Sequence, residues 1–400
     1  MGVCNEIFIL AALNAENIFA AAFERALDTP MKPNSSETFS THEHRPLATV
    51  VIINYNYEKF VAAAIDSALE QSYEPLEVVV VDDGSTDGSR TIIAAYKDRV
   101  RTVLQNNAGQ GAAYNAGWRA AHGEFVLFLD SDDVLTKDAI AKVVQTFEGN
   151  DAVKVQFYLA QVDRNLKPLG FLLPSYDFSS LTTRQQIANY GNYVGPPASG
   201  NAYRKSFLDE IMPIADEELY RHAPDGYTAG LAGLHGGVLS ISEILGYYRV
   251  HGDNYGGESG IKSLQQLHHM FMRDIKREDS QHAFGDHFNF HFSADRSRFC
   301  PGHTKLRLLS RRIRPDSHPL NTDRVSALVL CGLASAFTFP HLKLAKRFSV
   351  AMGFIALGAM PRSMLHTYFD TIATAQKRKN TIPAARRLGP DGLHPWIDHD

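Results

Sequence analysis

The stretch FLDSDDVL, residues 128–135, sets three carboxylates, Asp130, Asp132 and Asp133, within four positions. Like charges this close repel, and burying them costs more still. In an extended segment residues two apart point to the same side, so Asp130 and Asp132 converge on one site. A divalent cation removes the like-charge penalty, and hard oxygen ligands suit Mg²⁺ or Mn²⁺. With no His or Cys beside them, two or three carboxylates leave much of the shell to water and phosphate, which points to a diphosphate arriving with the ion. The same acids also suit an Asx-type turn that caps the following helix.

Two further stretches carry polar groups at element ends. VDDGSTDGS (81–89) ends a strand in Asp82 and Asp83 and then turns. An acid at a strand tip can accept from the imide N–H of uracil or thymine, or from a ribose hydroxyl. Gly84 and Gly88 permit positive φ, and a tight surface turn explains them equally. NNAGQGAAYNAG (106–117) opens a helix with Gly109, Gly111, Ala112 and Ala113. So little side chain lets backbone amides and the helix dipole face a phosphate, and it also permits close helix packing.

The elements that must position these groups alternate. ATVVIINYN, LEVVVVDD, RVRTVLQNN and EFVLFLD read as strands, and the β-branched, charge-free runs suit burial on both faces. FVAAAIDSALEQS, RTIIAAYKD, GQGAAYNAGWRAAHG and TKDAIAKVVQTFE read as helices between and after them, the last with Thr136 as its N-cap. This β-α alternation predicts a parallel sheet with helices on both faces, which binds ligands at the carboxyl ends of its strands. Those ends carry Asn54 and Asn56, then Asp82 and Asp83, then Asn106 and Asn107, then the acids at 130–133. Beyond 150 the rhythm loosens. VKVQFYLAQVD and GGVLSISEILGYYRVHG read as strands, residues 202–212 and 216–223 as helices, and the chain after 258 as helical and basic. His268 and His269 read as helix surface.

Composition bounds the rest. A chain of 400 residues, 44% hydrophobic, holds two domains or one large α/β domain with appendages. Residues 301–400 carry 15 Lys/Arg against 6 Asp/Glu, so an acidic body precedes a basic last quarter. Such a quarter is either a solvated helical face or a contact for anionic lipid, nucleic acid or acidic substrate. Three cysteines, Cys4, Cys300 and Cys331, show no metal spacing and no framework of pairs, which suits a reducing compartment. IFILAAL near the start lacks a basic leader, so no secretory signal is expected. The apolar stretches 325–339 and 348–360 are short for a membrane span and suit buried helices or a pair lying on a membrane surface. Residues 30–46 read as a linker, and 1–29 as helical.

Taken in order, VVIINYNYEKFVAAAIDSALEQSYEPLEVVVVDDGSTDGS, NAGQGAAYNAG and FVLFLDSDD resemble the inverting family-2 nucleotide-sugar glycosyltransferases. The resemblance is strong over 48–147 and weaker to about 257. It implies a GT-A fold, an α/β architecture with a Rossmann-like, mostly parallel sheet flanked by helices, here followed by a C-terminal helical region. It divides the chain into 1–46 (helix and linker), 47–150 (nucleotide-sugar half), 151–257 (acceptor half) and 258–400 (basic helical region). It implies that Asn54, Asn56, Asp82, Asp83 and Asp130 bind the nucleotide, Asp130 facing the ribose. Asp132 would hold Mn²⁺ or Mg²⁺ against the diphosphate, with His251 from YYRVHGDN on the metal or diphosphate. Gly111, Arg249 and the Ser199, Gly200, Asn201 stretch would serve the diphosphate and acceptor region.

For the base, Asp216, Glu217, Glu218 and Asp225 are candidates, and Asp225 is chosen from its place after Ser-Gly-Asn. The family's Glu-Asp pair is absent there, and Ile53-Asn54-Tyr55-Asn56 stands where many members carry Pro-Thr-Tyr-Asn. The activity implied is metal-dependent, inverting transfer of a sugar from a nucleoside-diphosphate sugar to a saccharide or lipid-linked hydroxyl acceptor, in polysaccharide or glycolipid synthesis. A cytoplasmic protein is expected, without a nucleic-acid partner and with peripheral contact at the inner face of a membrane through its basic region. Two rivals stand beside it. A nucleotidyltransferase would want a Gly-rich basic loop where NYNYEKF stands. An inactive GT-A binding subunit would not need Asp83, Asp130 and Asp132.

Overall fold

The structure is a computed structural model that describes residues 45–365, except 176–177, 179–181, 194, 252–263, 293–299, 340–341 and 343, and of 264–266 only the backbone. The expected N-terminal helix and almost all of the linker lie outside the described residues.

Strand β1 (Ala48–Asn54) is buried along its whole length. It pairs in parallel with β2 (Leu76–Asp83) on one side and β4 (Phe125–Asp130) on the other, and β3 (Arg101–Gln105) extends the sheet beyond β2. Helices α1 (Val61–Leu69), α2 (Ser89–Ala94), α3 (Gln110–Ala120) and α4 (Ala139–Phe147) complete the alternation. Because strand side chains alternate, Val50, Ile52 and Val80 pack with Ile65 and Val143 on one face. Val51, Val79 and Val81 pack with Ala113 and Tyr114 on the other. The register sets Asn54 opposite Asp82, Ile53 opposite Asp130 and Asp83 opposite Gln105, so the polar strand ends share one edge.

The second half continues the same sheet. After the short β5 (Val134–Leu135) come β6 (Lys154–Val162), β7 (Pro168–Leu173), β8 (Asn201–Arg204) and β9 (Val238–Arg249). Strand β8 runs antiparallel between β4 and β6, β9 lies parallel to β6, and β5 closes against β9. The order is β3-β2-β1-β4-β8-β6-β9-β5, with β7 on β6. Strands β1–β5 and β6–β9 therefore share one nine-stranded sheet.

Helices α5 (Thr183–Tyr190), α6 (Lys205–Ile211) and α7 (Asp225–His235) cover this half. Three local expectations are corrected. Residues 202–204 extend as β8 before the helix begins. Residues 216–223 turn without forming a helix, because the carbonyls of Tyr220 and Arg221 receive the amides of Gly111 and Gln110. The N-cap of α4 is Asp138, and Thr136 instead donates its hydroxyl to Asp138 Oδ1 at 3.1 Å.

Beyond the sheet, α8 (Leu264–Gly285), α9 (Pro301–Ile313), α10 (Val325–Thr338) and α11 (Leu344–Ala359) form a helical layer around Phe271, Leu308, Leu309, Leu328 and Phe354. Among the described residues, no helix is long and apolar enough to cross a membrane.

Candidate active site

A cavity of about 1200 Å³ lies over the carboxyl ends of β1, β2 and β4. Its walls come from the loop after β1, the turn after β4, residues 197–198, the 221–225 turn and His251. Asn56, Asp83, Asp130, Asp132, Asp225 and His251 all line it.

On the β2 side, the two neighbouring acids do different things. Asp82 is fully buried and is not part of the lining. It accepts from Asn54 Nδ2 at 2.9 Å, Ser85 N at 3.1 Å and Arg90 Nε at 2.6 Å. Burial pushes its carboxyl up, but these bonds outweigh it and hold the group below the ordinary value. Asn54 is likewise buried, and its amide also reaches Ser85 Oγ at 3.1 Å. The pair braces the loop, and neither residue is part of the cavity lining. Asp83 does face it. Its Oδ1 accepts from Gln105 Nε2 and Ala108 N at 2.7 and 2.8 Å, and its Oδ2 from Gly109 N at 2.8 Å. A carboxylate has roughly four acceptor positions, so capacity remains for a further donor. Asn56, held at φ 57, accepts from Thr86 N at 2.7 Å, which ties the loop after β1 to the loop after β2.

At the β4 end, Asp130, Asp132 and Asp133 each offer a carboxylate oxygen, all within 4.8 Å of one another. Asp133 is fully buried, with Ser199 Oγ donating at 2.6 Å and Arg249 N at 2.9 Å. Asp132 Oδ2 lies 2.9 Å from His251 Nε2. Burial, then repulsion from Asp132 and Asp225, pushes Asp130 well above the usual carboxylate range, and burial with Asp132 and Asp130 does the same to Asp133. This set fits a hard divalent cation: crowded carboxylates with one imidazole nitrogen, whose mutual repulsion an added positive charge relieves.

Several of the expected site residues hold neighbouring groups in place. Arg249 is buried, donates from Nε to Asp132 O at 2.7 Å and from Nη1 to Arg164 O at 2.6 Å, and lies over Phe60 with 4.8 Å to the ring centroid. It orders the acidic turn from beneath, outside the cavity lining. Ser199 also receives the amide of Asp130 at 3.2 Å. Asn201 Nδ2 holds Pro196 O and Pro197 O at 3.1 and 2.8 Å, and a Cβ on Gly200 would meet Pro196 Cβ at 2.7 Å. Gly111 is a packing position. Its amide is taken by Tyr220 O at 2.9 Å, and a Cβ there would lie 3.0 Å from the same oxygen. The start of α3 is thus closed by the 220–221 turn, whose carbonyls take the amides of Gln110 and Gly111.

Asp225 opens α7 on the far wall. Burial pushes its carboxyl up, against the pull of Arg273 and Lys154, and its charge is felt by Asp130. Asp216 and Glu217 do not line the cavity, whereas Glu218 does. Sequence reading missed Lys59, Arg221, His222 and His269 on the lining. Lys59 stood in view in NYNYEKF. His269 corrects the reading of 268–269 as plain helix surface, and only the packing of α8 beside α7 could reveal it.

A parallel half continued by a mixed half, with an Asp-x-Asp turn at their junction, makes this an α/β protein. Residues 49–212 match the family described as glycosyl transferase family 2. An uncharacterized glycosyltransferase of Nostoc sp. is 38% identical over 211 residues, which are 52% of this chain and 65% of that protein. The succinoglycan biosynthesis protein ExoO of Rhizobium meliloti is 31% identical over 243 residues, 56% of this chain and 65% of its own. The chain therefore spans just under two thirds of these relatives. Among solved structures, Staphylococcus aureus TarS 1-349 in complex with UDP-GlcNAc is 16% identical, covering 83% of this chain and 92% of that one, with a TM-score of 0.47.

Proposed function

We propose that this chain transfers a sugar from a nucleoside-diphosphate sugar to a hydroxyl acceptor, with inversion and with a divalent cation. The observation that carries the reading is that Asp83, Asp132 and Asp225, from three different parts of the chain, line one cavity. Relatives named for succinoglycan and chondroitin synthesis support a saccharide acceptor.

Asp83 and Asn56 meet the base. Asp130 meets the ribose, and Asp132, with His251, holds Mn²⁺ or Mg²⁺. A cation held by Asp132 and His251 would supply positive charge to the departing diphosphate. Asp225 accepts the proton of the acceptor hydroxyl. The acceptor oxygen bonds to the anomeric carbon from the face opposite the diphosphate, the bond from that carbon to the diphosphate oxygen breaks, and the nucleoside diphosphate departs. A carboxyl raised by burial is the stronger base for this step.

The test is a thermal-shift and turnover panel of UDP-, GDP- and dTDP-sugars with Mn²⁺ or Mg²⁺. One donor should raise the midpoint only with metal. Asp132→Ala should abolish that dependence, and Asp225→Asn should keep donor binding while turnover falls roughly a thousandfold, the scale of lost general-base catalysis. An unchanged metal dependence in Asp132→Ala, or full transfer by Asp225→Asn, would overturn the assignment.

A further inference from the structure

Helices α10 and α11 pack on each other through small residues. A Cβ on Gly332 would lie 2.1 Å from the Phe354 ring, and one on Gly358 would lie 2.5 Å from Val329. Arg347 ties the pair together, donating to Phe337 O and, at 2.8 Å from Nε, to Leu342 O. What the hairpin shows to the outside is apolar. On α11, Leu344, Phe348, Met352, Ile355, Ala356 and Ala359 fall in one helical arc and are all exposed. Phe348 is 57% and Met352 62% exposed, and Leu330 on α10 reaches 66%. Phe337 of α10 meets Phe348 edge-on at 5.5 Å, so the two arcs join. A solvated helix face normally carries charge, and α10 has no charged residue at all.

Charge is confined to the margins and has one sign. Residues 324–365 contain five Lys/Arg and no Asp or Glu. Arg324 precedes α10, Lys346 sits in the first turn of α11, Arg362 follows it, and all three are exposed. The helices have 14 and 16 residues. At ~1.5 Å per residue neither reaches across a hydrocarbon core of ~30 Å. An uncharged outer face with a purely basic rim matches an in-plane helix seated among anionic headgroups.

We propose that the α10–α11 face docks on an anionic lipid bilayer, with Leu330, Phe337, Phe348 and Met352 entering the acyl boundary and the basic rim meeting lipid phosphates. None of the cavity residues belongs to these helices, so the proposal stands apart from the transfer reading.

The experiment is co-sedimentation of the full chain, without nucleotide sugar, with vesicles of phosphatidylcholine alone or mixed with phosphatidylglycerol. Binding should require phosphatidylglycerol and weaken with salt. The double variant Phe348→Ser, Met352→Ser and the single variant Lys346→Glu should each lower the partition coefficient roughly tenfold, with thermal midpoints unchanged. Protein left in solution with both vesicle types overturns the proposal, as does wild-type binding by both variants. Concentration-dependent self-association that the double variant abolishes, without vesicle binding, would give the face to a second copy and also overturn it. Turnover on a soluble acceptor, measured separately, reports on the cavity alone.

Discussion

Two groups of buried acids in this molecule have opposite electrostatics. In the helical layer, Asp323 accepts from Arg307 Nε at 2.9 Å and lies 3.0 Å from His318 Nε2. Burial pushes its carboxyl up, but Arg307 and His318 outweigh burial and hold it below the ordinary value. Asp274 is alike: burial raises it, yet Arg277 and His303 bring it down to about 2. At the end of β4 the balance is reversed, and burial and like-charge crowding push Asp130 and Asp133 up together. One chain thus shows how it satisfies an acid that only holds helices together. The contrast marks the cluster left short of positive charge as the place built to receive it.

The strongest way to break the comparison is to unpair a satisfied acid. Asp323→Asn removes the carboxylate charge that Arg307, itself 3% exposed, donates to through Nε and Nη2. Breaking a buried pair from one side costs about 3–5 kcal/mol, so denaturant unfolding should show a loss of that order. A loss below about 1 kcal/mol would mean that the pairing contributes little.

A smaller effect should appear in acid. Asp274 has a depressed folded value, so its contribution to stability is fully present above the ordinary value of 3.8 and is lost as pH falls toward about 2. At ~1.4 kcal/mol per pKa unit the loss is about 2 kcal/mol. Asp274→Asn should lose stability at neutral pH and show a flatter acid limb in that window. Parallel acid limbs for the two proteins would remove Asp274 from the satisfied group.

Much of this was legible in the sequence, and for a physical reason. Buried parallel strands such as VVIIN and VVVV carry no charge, so their boundaries show, and the polar residues just past them mark the cavity edge. Asp83, Asp130 and Asp132 fell on the lining because strand ends decide it. Asn54 and Asp82 look equally placed, but one position of register turns them under the floor. Strand β8 has four residues, too few for periodicity to declare it, and it inserts between β4 and β6 from far along the chain. The 216–223 turn is set by the amides it caps at the start of α3, and no local pattern reports such a partner.

The smallest effect is also the one with the less intuitive sign. Asp130→Asn keeps the side chain's shape and removes one of the crowded charges. A carboxyl whose folded value is raised contributes stability that is fully present below the ordinary value of 3.8 and is lost as pH rises through the folded value. At neutral pH without metal the variant should therefore be the more stable protein, by about 1 kcal/mol, in line with other relieved functional sites. Its advantage should grow between mildly acidic and neutral pH. Added Mn²⁺ should raise the wild-type midpoint more than the variant's and reduce or reverse the difference. A lower midpoint for Asp130→Asn in metal-free buffer would show that the fold already satisfies the acids at the end of β4. The two groups of carboxylates would then be of one kind.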